Sequence, residues 1–284
     1  PKFISTAPLA EELILNRDVE ALVEVNLLTP IKHTDLCLRY GVPLKRGLLL
    51  EGSYGTGKSL TGAQTARVCV AHGWTYILLE HISQLEAALK MAKNYAPAVV
   101  FAEDIDRVLE DRDDDANDLI NTIDGVVSKD MQVITVLTTN FAERLDKAIL
   151  RAGRLDAVIS YQPPNAEAVQ RLIRLYARGL LAENQTLNKV STELAGQIPA
   201  TIREVVERSK LAMIARGKDK LIEGDLMISA KGMKRHLELL NGKGDEPKSA
   251  VDKFGEALRG LVENGIDDSG IDEKLTAILE TVNG

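Results

Sequence analysis

Gly52-Ser53-Tyr54-Gly55-Thr56-Gly57-Lys58-Ser59 stands between an apolar run, Leu48-Leu49-Leu50, and a stretch of helical composition from Leu60 to Ala71. The spacing G-x-x-x-x-G-K-S in that setting predicts a buried parallel strand, a glycine turn and a helix N-terminus, the three parts of a phosphate cradle. Gly52, Gly55 and Gly57 let backbone N–H groups converge on phosphate oxygens with no Cβ in the way. Lys58 is placed to pair with the β- and γ-phosphates, and the Ser59 hydroxyl to coordinate Mg²⁺. Ser53, Tyr54, Thr56 and Leu60 complete the candidate nucleotide-binding set.

Outward from the loop, strands and helices alternate. Gly47 to Gly52 reads as the first strand, Thr75 to Leu79 as the second, Ala98 to Ala102 as the third and Val133 to Thr138 as the fourth. Helical stretches fall between them at Leu60–Ala71, Leu85–Ala92 and Asp118–Asp124. Short β-branched runs alternating with helices predict an α/β fold, a parallel sheet covered by helices on both faces. Upstream, residues 8–30 carry helical spacing and are expected to end at Pro30. Downstream, Tyr161-Gln-Pro-Pro-Asn165 breaks the rhythm, and Asn165 is expected to cap a helix running to about Leu181. Thr201 to Arg216 and Ser229 to Leu240 complete a four-helix lid. Residues 241–248 have linker composition, and two amphipathic helices are expected near 250–263 and 271–282. The division is an N-terminal helical segment (1–30), a phosphate-loop core (31–164), an all-α lid (165–241), a linker (242–250) and a helical extension (251–284).

Ligands of a parallel sheet sit beyond the C-terminal ends of its strands. The third strand delivers Glu103 and Asp104 there. Hydrolysis of a nucleoside triphosphate needs one carboxylate for the Mg²⁺ shell and another to orient and deprotonate water. By order, Glu103 is the metal candidate and Asp104 the base.

Bulk properties narrow the partners. The chain has 284 residues, 45% hydrophobic, with a net charge of −7. That acidic balance argues against broad affinity for a nucleic-acid backbone. No apolar stretch approaches the roughly 20 residues of a membrane span. Pro1-Lys-Phe-Ile-Ser-Thr lacks the layout of a signal peptide, and a start at Pro1 leaves any preceding segment unseen. Cys37 and Cys69 form no ligand cluster; two reduced, buried thiols in a cytoplasmic protein are expected. His33, His72, His81 and His236 are scattered, and no metal site is read from them. The acidic run 110–118 lacks the glycine and the terminal glutamate of a calcium loop and reads as a solvated turn.

Further blocks name a family: Arg46-Gly-Leu-Leu-Leu50, Ala96-Pro-Ala-Val-Val-Phe-Ala-Glu-Asp-Ile-Asp106, Asn121-Thr-Ile-Asp-Gly-Val126, Leu137-Thr-Thr-Asn140 and Leu145-Asp-Lys-Ala-Ile-Leu-Arg-Ala-Gly-Arg-Leu-Asp156. Over about residues 30–241 the chain resembles an AAA-type ATPase. The resemblance implies ATP and Mg²⁺ as ligands, Asn140 as a polar sensor positioning water, and Arg151 and Arg154 as arginine fingers given to a neighbouring copy. Fingers in trans imply a homo-oligomeric ring, a hexamer by analogy, acting on a protein client that the sequence does not name. Such rings remodel, translocate or disassemble protein complexes. A nucleotide-gated scaffold that hydrolyses slowly is the alternative.

Two departures from the family pattern stand out. The acids read Glu103 then Asp104, where most relatives have Asp then Glu. That order, Lys58-Ser59 and Thr138-Thr-Asn-Phe-Ala-Glu-Arg-Leu-Asp146 are similar to the mitochondrial translocase branch that moves a folded Rieske protein. The aromatic–apolar–glycine pore loop of peptide-threading relatives is also missing. Leu79-Glu-His-Ile-Ser-Gln84 leads into a helix instead, with Ile82 as a short pore-facing candidate. Arg203, near the start of a lid helix, is a candidate second sensor or a plain surface arginine.

Overall fold

The computed structural model describes residues 12–79, 81–105, 131–141 and 155–240. The contacts divide the chain into two compact units, Pro1–Ser229 and Ala230–Gly284, and the first carries the sheet and the candidate site.

Five parallel strands run in the order β2-β3-β4-β1-β5: β1 (Arg46–Glu51), β2 (Thr75–Leu79), β3 (Ala98–Ala102), β4 (Val133–Thr139) and β5 (Ala157–Ser160). Every residue of β3 and β4 is buried, as expected of strands covered on both faces. Alternation sorts their side chains into two cores. Leu49, Ala98, Val100 and Leu137 pack on one side with Leu85, Leu89 and Ala92 of α5 (Leu85–Asn94). Leu48, Leu50, Val99, Phe101 and Val136 pack on the other. There they meet Cys69 of α4 (Lys58–Ala71) and Val19, Val23, Leu27 and Ile31 of the N-terminal helices.

Those N-terminal helices depart from the expectation of a stop at Pro30. α1 (Arg17–Val23) passes into a π turn, Glu24–Leu28, and then into α2 (Thr29–Lys32), with Pro30 in its first turn; α3 (Thr34–Arg39) follows. Proline fits there because a first-turn N–H has no intrahelical partner. The wider π turn, in which Thr29 N–H bonds Glu24 O, ends just ahead of it.

Beyond the sheet lie α6 (Ala166–Ala177), α7 (Asn188–Leu194), α8 (Pro199–Ala215) and α9 (Glu223–Leu240). Asn165 caps α6 as expected, its side chain accepting from Ala168 N at 2.9 Å. The helix ends at Ala177, short of Leu181, where Arg178 turns left-handed at φ 49°.

Cys37 and Cys69 are free and buried. Burial pushes the Cys69 thiol up to about 12, which keeps it protonated and unreactive. No described helix is long and apolar enough to cross a membrane.

Candidate functional site

The C-terminal ends of β1, β4 and β3 lie side by side, with Glu51 paired to Thr139 and Ala102 to Leu137. The glycine loop, Asn140 and the two acids therefore leave the sheet along one edge, the edge where ligands of such sheets bind.

Three elements close on the loop, one at each glycine. A Cβ built on Gly52, at φ 141°, would fall 2.3 Å from the Tyr161 carbonyl oxygen, so only glycine fits. At Gly55 it would meet Ile198 Cδ1 at 3.3 Å, and at Gly57 Leu15 Cδ2 at 3.0 Å. Inside the loop, Thr56 Oγ1 donates to Ser53 O at 2.8 Å. Lys58 is buried, and its Nζ donates to Gly52 O at 2.5 Å and Ser53 O at 2.9 Å. α4 begins at Lys58 with no acidic residue in its first turn, so no carboxylate of that turn competes there for its N–H groups. Ser59, the next residue, is exposed.

Tyr161 anchors the loop at both ends. Its N–H bonds Glu51 O at 2.7 Å, just before Gly52. Its phenol, pushed up by burial, shares a 2.8 Å hydrogen bond with Thr61 Oγ1, which also donates to Gly57 O at 3.1 Å.

The two acids have different surroundings. Phe101 packs on the α4 side, where a Cβ on Gly62 would lie 2.9 Å from its ring. Glu103 follows two residues on, and its charge, after burial, helps push up the phenol of Tyr76, which also faces Gly62. Asp104 instead takes a left-handed backbone, φ 50°. Its N–H bonds Thr138 Oγ1 at 3.0 Å, and its Oδ1 accepts from Asn140 Nδ2 at 2.9 Å. Asp104 and Asn140, 36 residues apart, meet directly. Beside Asn140, Phe141 packs edge-on against Tyr54 of the loop, centroids 5.9 Å apart.

Other expectations fare differently. Arg151 and Arg154 lie outside the described residues, as do residues 110–118 and the helices expected beyond 248. Ile82 is corrected: it opens a short 3₁₀ turn, Ile82–Gln84, and is buried in the α5-side core, so its side chain does not face a pore. Arg203 lies with its guanidinium 4.8 Å from the Tyr176 ring centroid, within the C-terminal helices. Thr138, Tyr161, Phe141 and Asn16 are the residues that sequence reasoning missed. Only Thr138 carried a signal, since it lies shortly before Asn140 in sequence, next to the end of β4.

The sequence that builds this site is similar to known proteins. Residues 48–163 match the profile of the ATPase family associated with various cellular activities (AAA). Over that segment the chain is similar to AAA-type ATPases, and the AAA+ superfamily is the class that these findings support. A 26S proteasome regulatory subunit 8 homolog of Schizosaccharomyces pombe is 26% identical over 262 residues, 84% of this chain and 62% of that protein. The homologous subunit of Encephalitozoon cuniculi is 27% identical over 211 residues, 67% of this chain and 53% of that protein. An ATP-dependent zinc metalloprotease FtsH of Syntrophus aciditrophicus is 25% identical over 260 residues, 84% of this chain and 35% of that protein. The chain thus spans less than two thirds of the length of each of these relatives.

Proposed function

We propose that this chain binds ATP with Mg²⁺ at the glycine cradle, hydrolyses it, and works as a homo-oligomeric ring that remodels, translocates or disassembles protein complexes. The carrying observation is the Asp104–Asn140 contact on the same sheet edge as a glycine loop whose lysine is buried and whose helix opens without an acid. A cradle that a Cβ would fill, with an ammonium at its floor, fits a polyphosphate.

In this reading the loop N–H groups and Lys58 hold the phosphates, and Leu60 continues the helix that presents them. Ser59 and Glu103 hold Mg²⁺. When bound, the metal spreads the charge of the phosphate oxygens. Asp104 accepts the proton of the attacking water, and Asn140 keeps that carboxylate aimed. Arg151 and Arg154 reach a neighbouring copy's nucleotide, which makes the ring, a hexamer by resemblance, part of the site. Residues 31–164 form the catalytic core and 165–241 a lid. The Glu103-Asp104 order supports kinship with the translocase branch.

One observation favours the slowly hydrolysing scaffold as second reading. The Asp104 side chain is one methylene shorter than glutamate and already engaged by Asn140. Steady-state turnover separates the two. A motor is expected to turn over ATP and to lose about 10²–10³-fold in kcat on Asp104→Asn while still binding ATP. A scaffold binds ATP and assembles with no turnover to lose. ATP that neither binds nor draws copies together in sedimentation removes both readings.

A further inference from the structure

We propose that Asn16 is a positioning residue that couples the phosphate loop to the hinge of the lid, so that phosphate held on the loop sets where the lid stands. The inference rests on the nucleotide reading above.

The hinge is the segment 161–165, between β5 and α6. Pro163 and Pro164 have no N–H, so the strand ladder stops there, and the Pro163 carbonyl and Asn165 amide need partners from elsewhere. Asn16 supplies both. Its Nδ2 donates to Pro163 O at 3.1 Å and its Oδ1 accepts from Asn165 N at 2.8 Å. At 8% exposure this amide is shielded from water, which raises the cost of breaking either bond. Asn165 in turn caps α6, so the amide grips the first turn of the lid.

The same strand of chain presses on the loop. Leu15, directly before Asn16, is the side chain against Gly57, and Leu13 lies 3.7 Å from where a Cβ would stand there. The residue that meets the loop and the residue that meets the hinge are adjacent, which leaves little slack between them. Arg171 of α6 locks the arrangement: Nη1 donates to Leu15 O at 3.1 Å, and Nη2 pairs with Glu20, which also accepts from Leu15 N at 3.2 Å. Tyr161 closes the circuit from the other side, touching Gly52 and Thr61 and leading straight into Pro163. Loop, residues 13–16, hinge and α6 form one closed path of contacts. A phosphate that fixes the Gly57 backbone fixes Leu15, and through Asn16 the hinge.

Hydrogen exchange on the full chain, with and without MgATP, tests this. In wild type, MgATP should slow exchange in residues 52–60 and, by about fivefold or more, in α6. In Asn16→Ala the loop should still be protected, with ATP affinity within about threefold of wild type, while the α6 response disappears. Asn16→Asp, which keeps the acceptor for Asn165 and loses the donor to Pro163, should give a partial response and serves where the alanine variant folds poorly. A role in stability alone would speed α6 exchange with and without nucleotide and preserve their ratio; that outcome overturns the proposal. So does a wild type whose loop responds to MgATP while α6 does not. Absence of any loop response in wild type removes the nucleotide reading itself, and this inference with it.

Discussion

The glycine loop and the strap that crosses it, residues 13–16, touch each other yet are built on opposite principles. The loop is specified by what is missing: at Gly52 no side chain fits, because Tyr161 stands in the space. The strap is specified by what is present, two apolar side chains that meet Gly57 and an asparagine amide whose partners lie about half the chain away, as the 147-residue separation of Asn16 and Pro163 shows. A loop built from backbone shape presents its N–H groups by its own turn, with neighbours that need only leave no room for a side chain. A strap held by side-chain hydrogen bonds transmits position. The contrast teaches that one site can be local in its chemistry and non-local in its control.

The sharpest way to break the comparison is to give the loop a side chain. Gly52→Ala puts a Cβ against the Tyr161 carbonyl at a backbone angle alanine resists, and it is expected to cost about 3 kcal/mol or more and to abolish nucleotide binding. Denaturant melts and fluorescent-nucleotide titration check both. Lys58→Ala separates the two losses. Binding should disappear while the fold melts cooperatively, since the loop backbone is left intact. A Gly52→Ala protein that binds nucleotide normally would show that the loop is less tightly boxed than the Tyr161 contact implies.

That difference also decides what could be read in advance. β2 and β3 fall where their apolar runs placed them, at Thr75–Leu79 and Ala98–Ala102; β3, buried at every residue, leaves an unbroken apolar signature, and β2, at the sheet edge, is still marked by its β-branched and aromatic run. The loop was legible from three glycines, a lysine and the strand before them. β5 was not: it has four residues, of which only Ile159 is buried, too short a run to stand out beside Pro163 and Pro164. Pro30 suggested a helix stop and became a helix start, since the adjacent π turn follows no side-chain pattern. Asn16 falls within the helical spacing of residues 8–30, yet it precedes α1, and its side chain makes no capping bond and serves the hinge instead. Pairings across more than a hundred residues leave no periodicity to find. Ile82 shows the converse, an apolar residue singled out for function that is core.

A second prediction sharpens the comparison on the catalytic side. Tyr54 and Phe141 join the loop tip to the residue after Asn140, edge to face. Such a pair contributes about 0.5–1.5 kcal/mol beyond its buried area, so Phe141→Ala should loosen the end of β4 rather than the cradle. Turnover is expected to fall by about three- to tenfold with ATP affinity little changed. Equal losses in kcat and affinity would mean that the pair belongs to the cradle.

The smallest effects come from two arginines that both tie the N-terminal segment to α6. Arg171 is about one quarter exposed and bonds both a carbonyl and a carboxylate, Leu15 O and Glu20. Arg17 is 64% exposed and pairs with Glu167 at 2.8 Å and Glu20 at 3.3 Å. Removing Arg171 leaves the Leu15 carbonyl and the Glu20 carboxylate short of a donor in a partly buried place, so Arg171→Ala should cost about 1–2 kcal/mol, a fall of about 2–4 °C in Tm per kcal/mol. Water replaces an exposed guanidinium at little cost, so Arg17→Ala should leave Tm unchanged, although it removes two ion pairs where Arg171→Ala removes one. Raising salt separates the two further, because screening acts on the exposed pair and much less on the sheltered one. If both variants melt alike, burial is not what distinguishes the strap from the surface, and the picture of a side-chain-held coupling gives way to one held by the apolar contact of Leu15 alone.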